Sequence, residues 1–100
     1  MHLQGINIPE TRIAALCCAA GVRRLWLFGS ILRDDFRPDS DIDVLVETDP
    51  TDPPGIFALG GLQMDLSDLL GRFVHLTTLA GVPPEAQDRL LASARLQYAA

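Results

Sequence analysis

Short apolar segments alternate with polar, turn-rich segments along the chain, and their spacing predicts helices and strands in alternation. Residues 9–20 predict a first helix, because Pro9 suits a first helical position, apolar side chains share one face and Gly21 follows as a stop. The apolar run 24–28 predicts a buried strand, and the β-branched run 42–46 predicts a second one. A first half of helix, strand, polar loop and strand follows from this pattern.

The second half of the chain continues the alternation. Residues 56–70 predict a helix in their second half, with Asp65 or Ser67 at its start, and residues 72–77 predict a third strand. Residues 84–98 predict a last helix that begins at a proline and places leucines on one face, more suited to core than to interface. The order predicts an α/β (α+β) fold, with a small sheet covered by helices.

Composition limits the classes of protein and of partner. With 100 residues, 48% of them hydrophobic, we expect one domain spanning residues 1–100. No apolar run is long enough for a membrane span and the first residues lack a signal-peptide pattern, so we expect a cytoplasmic protein without a membrane partner. Eight basic residues against 13 acidic ones give a net charge of −5, which argues against direct binding to nucleic acid.

Two pairs of residues carry the candidate chemistry. Gly29 and Ser30 follow a predicted strand, where backbone N–H groups and a hydroxyl are available to an anion such as phosphate. Asp41 and Asp43 are two apart on a predicted strand, so their carboxylates point to one face. Such carboxylates suit Mg²⁺ shared with substrate phosphates. The combination is typical of phosphoryl or nucleotidyl transfer assisted by metal ions.

Each pair alone has a plainer interpretation. A Gly-Ser pair is often only a turn, and two acids spaced by one residue are often a solvated strand edge. The two pairs together, with ten residues between them, are a more specific signal than either pair alone. In addition, Asp43 interrupts an apolar strand, where an acid without a partner is costly. We therefore favour the functional interpretation of the two pairs together.

Residues 27–30 (LFGS) and 41–47 (DIDVLVE) resemble the motif of the minimal nucleotidyltransferases, or MNT proteins, of the DNA polymerase beta superfamily. The resemblance continues through residues 69–74 and the last predicted helix, so it covers nearly the whole chain. It implies a polymerase-beta-like nucleotidyltransferase fold, with a small mixed sheet of three or four strands flanked by helices. It also implies an antitoxin that neutralises a HEPN ribonuclease toxin, in some members by moving AMP from ATP to a tyrosine hydroxyl of that partner.

The resemblance assigns roles to individual residues. Gly29 and Ser30 would hold the triphosphate of ATP, and Asp41 and Asp43 would bind the Mg²⁺ cofactor. Arg33 would support the phosphates through its paired donors, or would be a surface residue that pairs with a neighbouring aspartate. A hetero-oligomer with the HEPN toxin is the expected assembly.

His75 departs from the pattern of the superfamily, which commonly has a third carboxylate on this strand. Neutral imidazole is a poor Mg²⁺ ligand beside oxygen donors, so His75 would be a general base for the attacking hydroxyl, or a half-buried side chain that fills the vacated site. Glu47 shares the face of Asp43 but lies about 13 Å along the strand, too far to share a metal. Two hypotheses remain: a protein adenylyltransferase with intact transfer, and a binding module with weak or no transfer that masks its partner by contact.

Overall fold

The computed structural model describes all residues 1–100 and contains three helices, a hairpin and a four-stranded sheet. The helices are α1 (Glu10–Ala20), α2 (Ile56–Leu70) and α3 (Pro84–Ser93). The hairpin is formed by β1 (His2–Leu3) and β2 (Ile6–Asn7), and the main sheet by β3 (Val22–Phe28), β4 (Ile42–Thr48), β5 (Val74–Thr78) and β6 (Arg95–Ala99). None of the helices combines the length and the apolar character that a membrane crossing requires.

The main sheet is mixed, with the strand order β5-β4-β3-β6. Strand β3 is antiparallel to both β4 and β6, whereas β4 and β5 run parallel. The parallel pair requires a long crossover connection, which α2 supplies. This architecture confirms the predicted α/β fold class with its small mixed sheet flanked by helices.

One face of the sheet packs against α1 and α2 and forms the core. Alternation along β4 directs Ile42, Val44 and Val46 into this core, and α2 contributes buried leucines at a four-residue spacing. Asp43 alternates with these residues and therefore lies on the opposite face of the sheet. The candidate site is thus carried by a face that α1 and α2 leave uncovered.

The predicted last helix, residues 84–98, is wrong in its second part. Helix α3 ends at Ser93, and the following residues form β6, which pairs with β3 so that Leu96 lies opposite Trp26 and Tyr98 opposite Leu25. Without β6, the backbone N–H and C=O groups along this side of β3 would be unpaired. Pairing with a distant strand therefore overrides the local helical pattern.

Helix α2 begins earlier than the predicted start at Asp65 or Ser67. It runs from Ile56 through the Gly60-Gly61 pair, although glycine costs about 1 kcal/mol in a helix interior. Leu62 is buried in the core, and its burial supports helical structure well before the predicted start.

The hairpin of β1 and β2 is not among the elements predicted from the sequence.

Candidate active site

The turn that follows β3 is tight and anchored in the core. Phe28 leads into a four-residue 3-10 helix, Gly29–Leu32, in which Gly29 has the left-handed φ of 77°. Ile31 is buried in the hydrophobic core, and the backbone N–H of Arg33 donates to the carbonyl oxygen of Ser30 at 2.9 Å. A left-handed φ favours glycine, so Gly29 gives this turn its sharp change of direction.

Asp43 contacts Gly29 directly. The two strands place Asp43 opposite Phe28, the residue that precedes the glycine. A Cβ atom on Gly29 would collide with Oδ2 of Asp43 and lie 3.2 Å from its Cγ. The missing side chain of Gly29 therefore makes room for the carboxylate, and the structure brings the two halves of the sequence motif together.

His75 lies beside Asp43 on the neighbouring strand. The parallel register of β4 and β5 pairs the two residues, and Nδ1 of His75 is 3.6 Å from Oδ1 of Asp43. The His75 side chain is 64% exposed, against 31% for Asp43, so His75 is not the half-buried filler considered from the sequence. The separation is longer than a good hydrogen bond but within reach of an ion pair when the imidazole is protonated.

Asp41 lies immediately before β4 and is exposed. Ile42, which separates it from Asp43, is fully buried on the core side, as expected when the two acids lie on the other face. Asp41 takes part in no side-chain hydrogen bond or ion pair, so its carboxylate is free to bind a ligand. No three His, Cys, Asp or Glu side chains come together to hold a metal ion.

Arg33 makes a surface ion pair rather than a visible part of the site. Its Nε and Nη2 lie 3.1 and 3.4 Å from the carboxylate oxygens of Asp35, and both side chains are 61% exposed. The hydrogen bond from Arg33 holds the pKa of the Asp35 carboxyl below its ordinary value. Arg33 is thus paired with a neighbouring aspartate, and its support of the phosphates stays a prediction.

Glu47 lies at the other end of β4, where it accepts a 2.7 Å hydrogen bond from Arg24. It does not contact Asp43.

Arg72, which the sequence analysis did not single out, contacts the chain beside Asp41. Its Nη1 donates a hydrogen bond to the carbonyl oxygen of Ser40 at 2.7 Å. The one local signal for Arg72 is its position between a helix-ending glycine and the strand that neighbours β4.

Comparison with known families gives a match over most of the chain. The family model of the nucleotidyltransferase domain matches residues 11–96. A protein of Methanocaldococcus jannaschii that carries the name "Putative protein adenylyltransferase MJ0435" is 33% identical over 86 residues, which cover 86% of this chain and 90% of that protein.

Solved structures share the same fold. A solved structure described as "Structure of putative minimal nucleotidyltransferase" superposes with a TM-score of 0.73 at 29% identity, and the match covers 85% of both chains. A toxin–antitoxin structure with AMP-PNP gives 0.72 at 21% identity, covering 93% of this chain and 75% of the matched one. A Shewanella oneidensis complex of a tri-AMPylated HEPN toxin with its MNT antitoxin gives 0.64 at 20% identity, covering 91% and 70%. The likeness to the two complexes concerns the fold alone.

Proposed function

The chain belongs to the nucleotidyltransferase domain family, as its motif predicted, and on this premise we propose that it is an antitoxin that adenylylates a HEPN ribonuclease partner. The reaction transfers AMP from ATP to a tyrosine hydroxyl and depends on Mg²⁺. The contact of Asp43 with Gly29 carries the proposal, because it brings a metal-binding carboxylate against the predicted phosphate-binding turn. The adenylyltransferase name of the archaeal relative and the tri-AMPylated toxin in the Shewanella complex support it.

The residues of the site fit Mg²⁺ bound together with a nucleotide. In this proposal Gly29 and Ser30 bind the triphosphate through backbone N–H groups and the serine hydroxyl, and Asp41 and Asp43 supply carboxylate oxygens. Mg²⁺ takes six oxygen ligands and is usually held by one or two carboxylates, with water and substrate phosphates completing the set. When bound, it supplies neutralisation of the negative charge on the α-phosphate and on the departing pyrophosphate.

His75 is the proposed general base. The tyrosine oxygen forms a bond to the α-phosphorus, the bond to pyrophosphate breaks, and the hydroxyl proton passes to His75. Because Nδ1 of His75 faces Asp43, Nε2 is the nitrogen left for this proton. The carboxylate of Asp43 then stabilises the imidazolium that forms.

A second candidate function is a binding module that masks its partner by contact. The specific observation in its favour is the imidazole beside Asp43, in a place where the resemblance implies a third carboxylate. With only two carboxylates, transfer would be slow or absent while the partner-binding surface stays intact. The two candidates therefore differ in chemistry and agree in the partner.

The intact mass of the HEPN partner tests the proposed function. The partner is incubated with this protein, ATP and Mg²⁺, and we expect a gain of one or more AMP units. The double variant Asp41→Ala/Asp43→Ala should abolish the gain, whereas Asp39→Ala, an exposed acid of the same loop, should retain it. An unchanged mass together with a stable complex would favour the binding module, and an unchanged mass without a complex would contradict both candidates.

Replacing His75 by aspartate tests the chemistry next to Asp43. We expect His75→Asp to raise the rate of AMP transfer about tenfold, because a carboxylate there is both a metal ligand and a base. His75→Asn, which is neutral and offers no base, should lower the rate about a hundredfold. The measurement is the initial rate of partner modification. No gain in His75→Asp would argue against His75 standing in for the third acid.

A further inference from the structure

We propose that Arg72 is a positioning residue, which holds residues 36–41 so that Asp41 is presented to the same ligand as Asp43. The inference rests on the proposed function, because it assigns Asp41 a ligand to present. It adds a residue that lies outside both the Gly-Ser pair and the two acids, and that has no predicted contact with the nucleotide.

Arg72 contacts three residues of the segment before β4. Its Nη1 donates to the carbonyl oxygens of Arg37 at 3.1 Å and of Ser40 at 2.7 Å. Its guanidinium carbon lies 4.8 Å from the centre of the Phe36 ring, a cation–π distance. A single side chain thus joins the start and the end of this segment.

The segment is closed by further hydrogen bonds. The backbone N–H of Ser40 donates to the carbonyl oxygen of Arg37 at 3.0 Å, and the N–H of Arg37 donates to Oγ of Ser40 at 2.8 Å. The N–H of Ile42 donates to the carbonyl oxygen of Phe73 at 2.9 Å. Both neighbours of Asp41 are therefore held in place: Ser40 by the side chain of Arg72, and Ile42 by the backbone of Phe73.

Asp41 has no fixing contact of its own. Its side chain is exposed and takes part in no hydrogen bond or ion pair, so the direction of its carboxylate depends on the backbone at residues 40 and 42. Arginine is suited to this role because its planar group stacks on Phe36 while an N–H edge reaches two carbonyls. A glutamine cannot do both, and a lysine retains only the charge and some of the donors.

The Mg²⁺ dependence of AMP transfer tests the positioning role. We expect Arg72→Gln to raise the Mg²⁺ concentration for half-maximal transfer about tenfold, since hydrogen bonds to a charged donor are lost. The kcat at saturating Mg²⁺ should change less than about threefold, because Arg72 touches no reacting atom. Arg72→Lys should lie between the two proteins. Arg24→Gln is the matched control, since it removes an arginine hydrogen bond at the far end of β4 and should leave the Mg²⁺ dependence unchanged.

Two direct measurements accompany the kinetics. Hydrogen exchange of the amides of residues 37–42 should be faster in Arg72→Gln, with exchange in the core strands unchanged. Binding of Mn²⁺ in the presence of ATP should weaken in parallel. Wild-type Mg²⁺ dependence and wild-type exchange in this variant would overturn the inference, as would equal losses in kcat and stability without a change in Mg²⁺ dependence.

Failure of the proposed function would give a different result. A wild-type protein that neither transfers AMP nor binds Mn²⁺ with ATP would contradict the proposed function, and the inference would fall with it. An active wild type with an unaltered Arg72→Gln variant would overturn the positioning role alone.

Discussion

Gly29 shapes the candidate site because it has no side chain. Its left-handed φ of 77° turns the chain after β3, and its open face is occupied by the carboxylate of Asp43. Asp43 in turn has His75 on its other side. A predicted phosphate-binding turn, a candidate metal ligand and a candidate base therefore lie next to one another, because the turn after β3 and the strands β4 and β5 are neighbours in the sheet.

Replacing Gly29 by alanine should separate backbone strain from the contact with Asp43. Gly21 is the matched control, because its φ is also 77° but a Cβ there would have only an ordinary 3.9 Å contact. We expect Gly29→Ala and Gly21→Ala each to lose about 1–2 kcal/mol of unfolding free energy through the left-handed conformation. Only Gly29→Ala should also lose AMP transfer, measured as partner mass. Full transfer in Gly29→Ala would contradict the role of this contact.

The adjacent cysteines should differ in reactivity. Cys17 is buried and Cys18 is exposed, and burial raises the pKa of the Cys17 thiol from 9.0 to about 11. The folded state thus favours the protonated thiol. The contribution of Cys17 to the free energy of unfolding is therefore fully present below pH 9 and is lost as the pH rises through about 11. We expect iodoacetamide to add one group to the native protein and two after unfolding in urea, as read by intact mass. Two rapid additions to the native protein would contradict the burial of Cys17.

Among the elements, α2 determines where β5 lies. Oγ of Ser67 accepts a hydrogen bond from the backbone N–H of Val74 at 2.9 Å, and Oε1 of Gln63 accepts one from Leu76 at 3.3 Å. Strand β5 is at the edge of the sheet, so these side chains pair N–H groups that no further strand reaches. His75 lies between the two bonded residues and is held beside Asp43 by this arrangement.

Leu66 should account for much of the anchoring of α2. It is 1% exposed in the core, whereas Met64 on the same helix is 68% exposed. We expect Leu66→Ala to lower the free energy of unfolding by about 2–5 kcal/mol, because it leaves a cavity. Met64→Ala should change it by less than about 0.5 kcal/mol. Urea denaturation measures both, and similar losses in the two variants would contradict the packing of α2.

At the scale of the whole molecule, charge bears on the proposed partner. The chain carries a net charge of −5, and all its basic residues are arginines. A ribonuclease presents positive charge to RNA, so under the proposed function this acidic chain would be attracted to the surface that it covers.

The association rate with the HEPN partner should therefore depend on salt. We expect the rate constant for association to fall about tenfold or more from low to high NaCl concentration, with a much smaller change in the dissociation rate. Stopped-flow measurements at several salt concentrations give both constants. An association rate independent of salt would contradict electrostatic attraction between the two proteins.

Local patterns in the sequence determined much of the molecule. Helix α1 and strands β3 and β4 lie where they were predicted, within a few residues, because periodicity and end signals are properties of neighbouring residues. The family was also predicted from the sequence, by the resemblance of residues 27–30 and 41–47 to the MNT motif, and the family model that matches residues 11–96 confirms it.

The tertiary structure decided which distant segments meet. Residues 95–99 are a strand because β3 offers an unpaired edge. The contacts of Asp43 with Gly29 and His75, and of Arg72 with the loop, depend on strand order and register. Local sequence constrains backbone conformation and the face of each side chain, whereas the partner across a strand pair is chosen by competition of all segments for hydrogen bonds and burial.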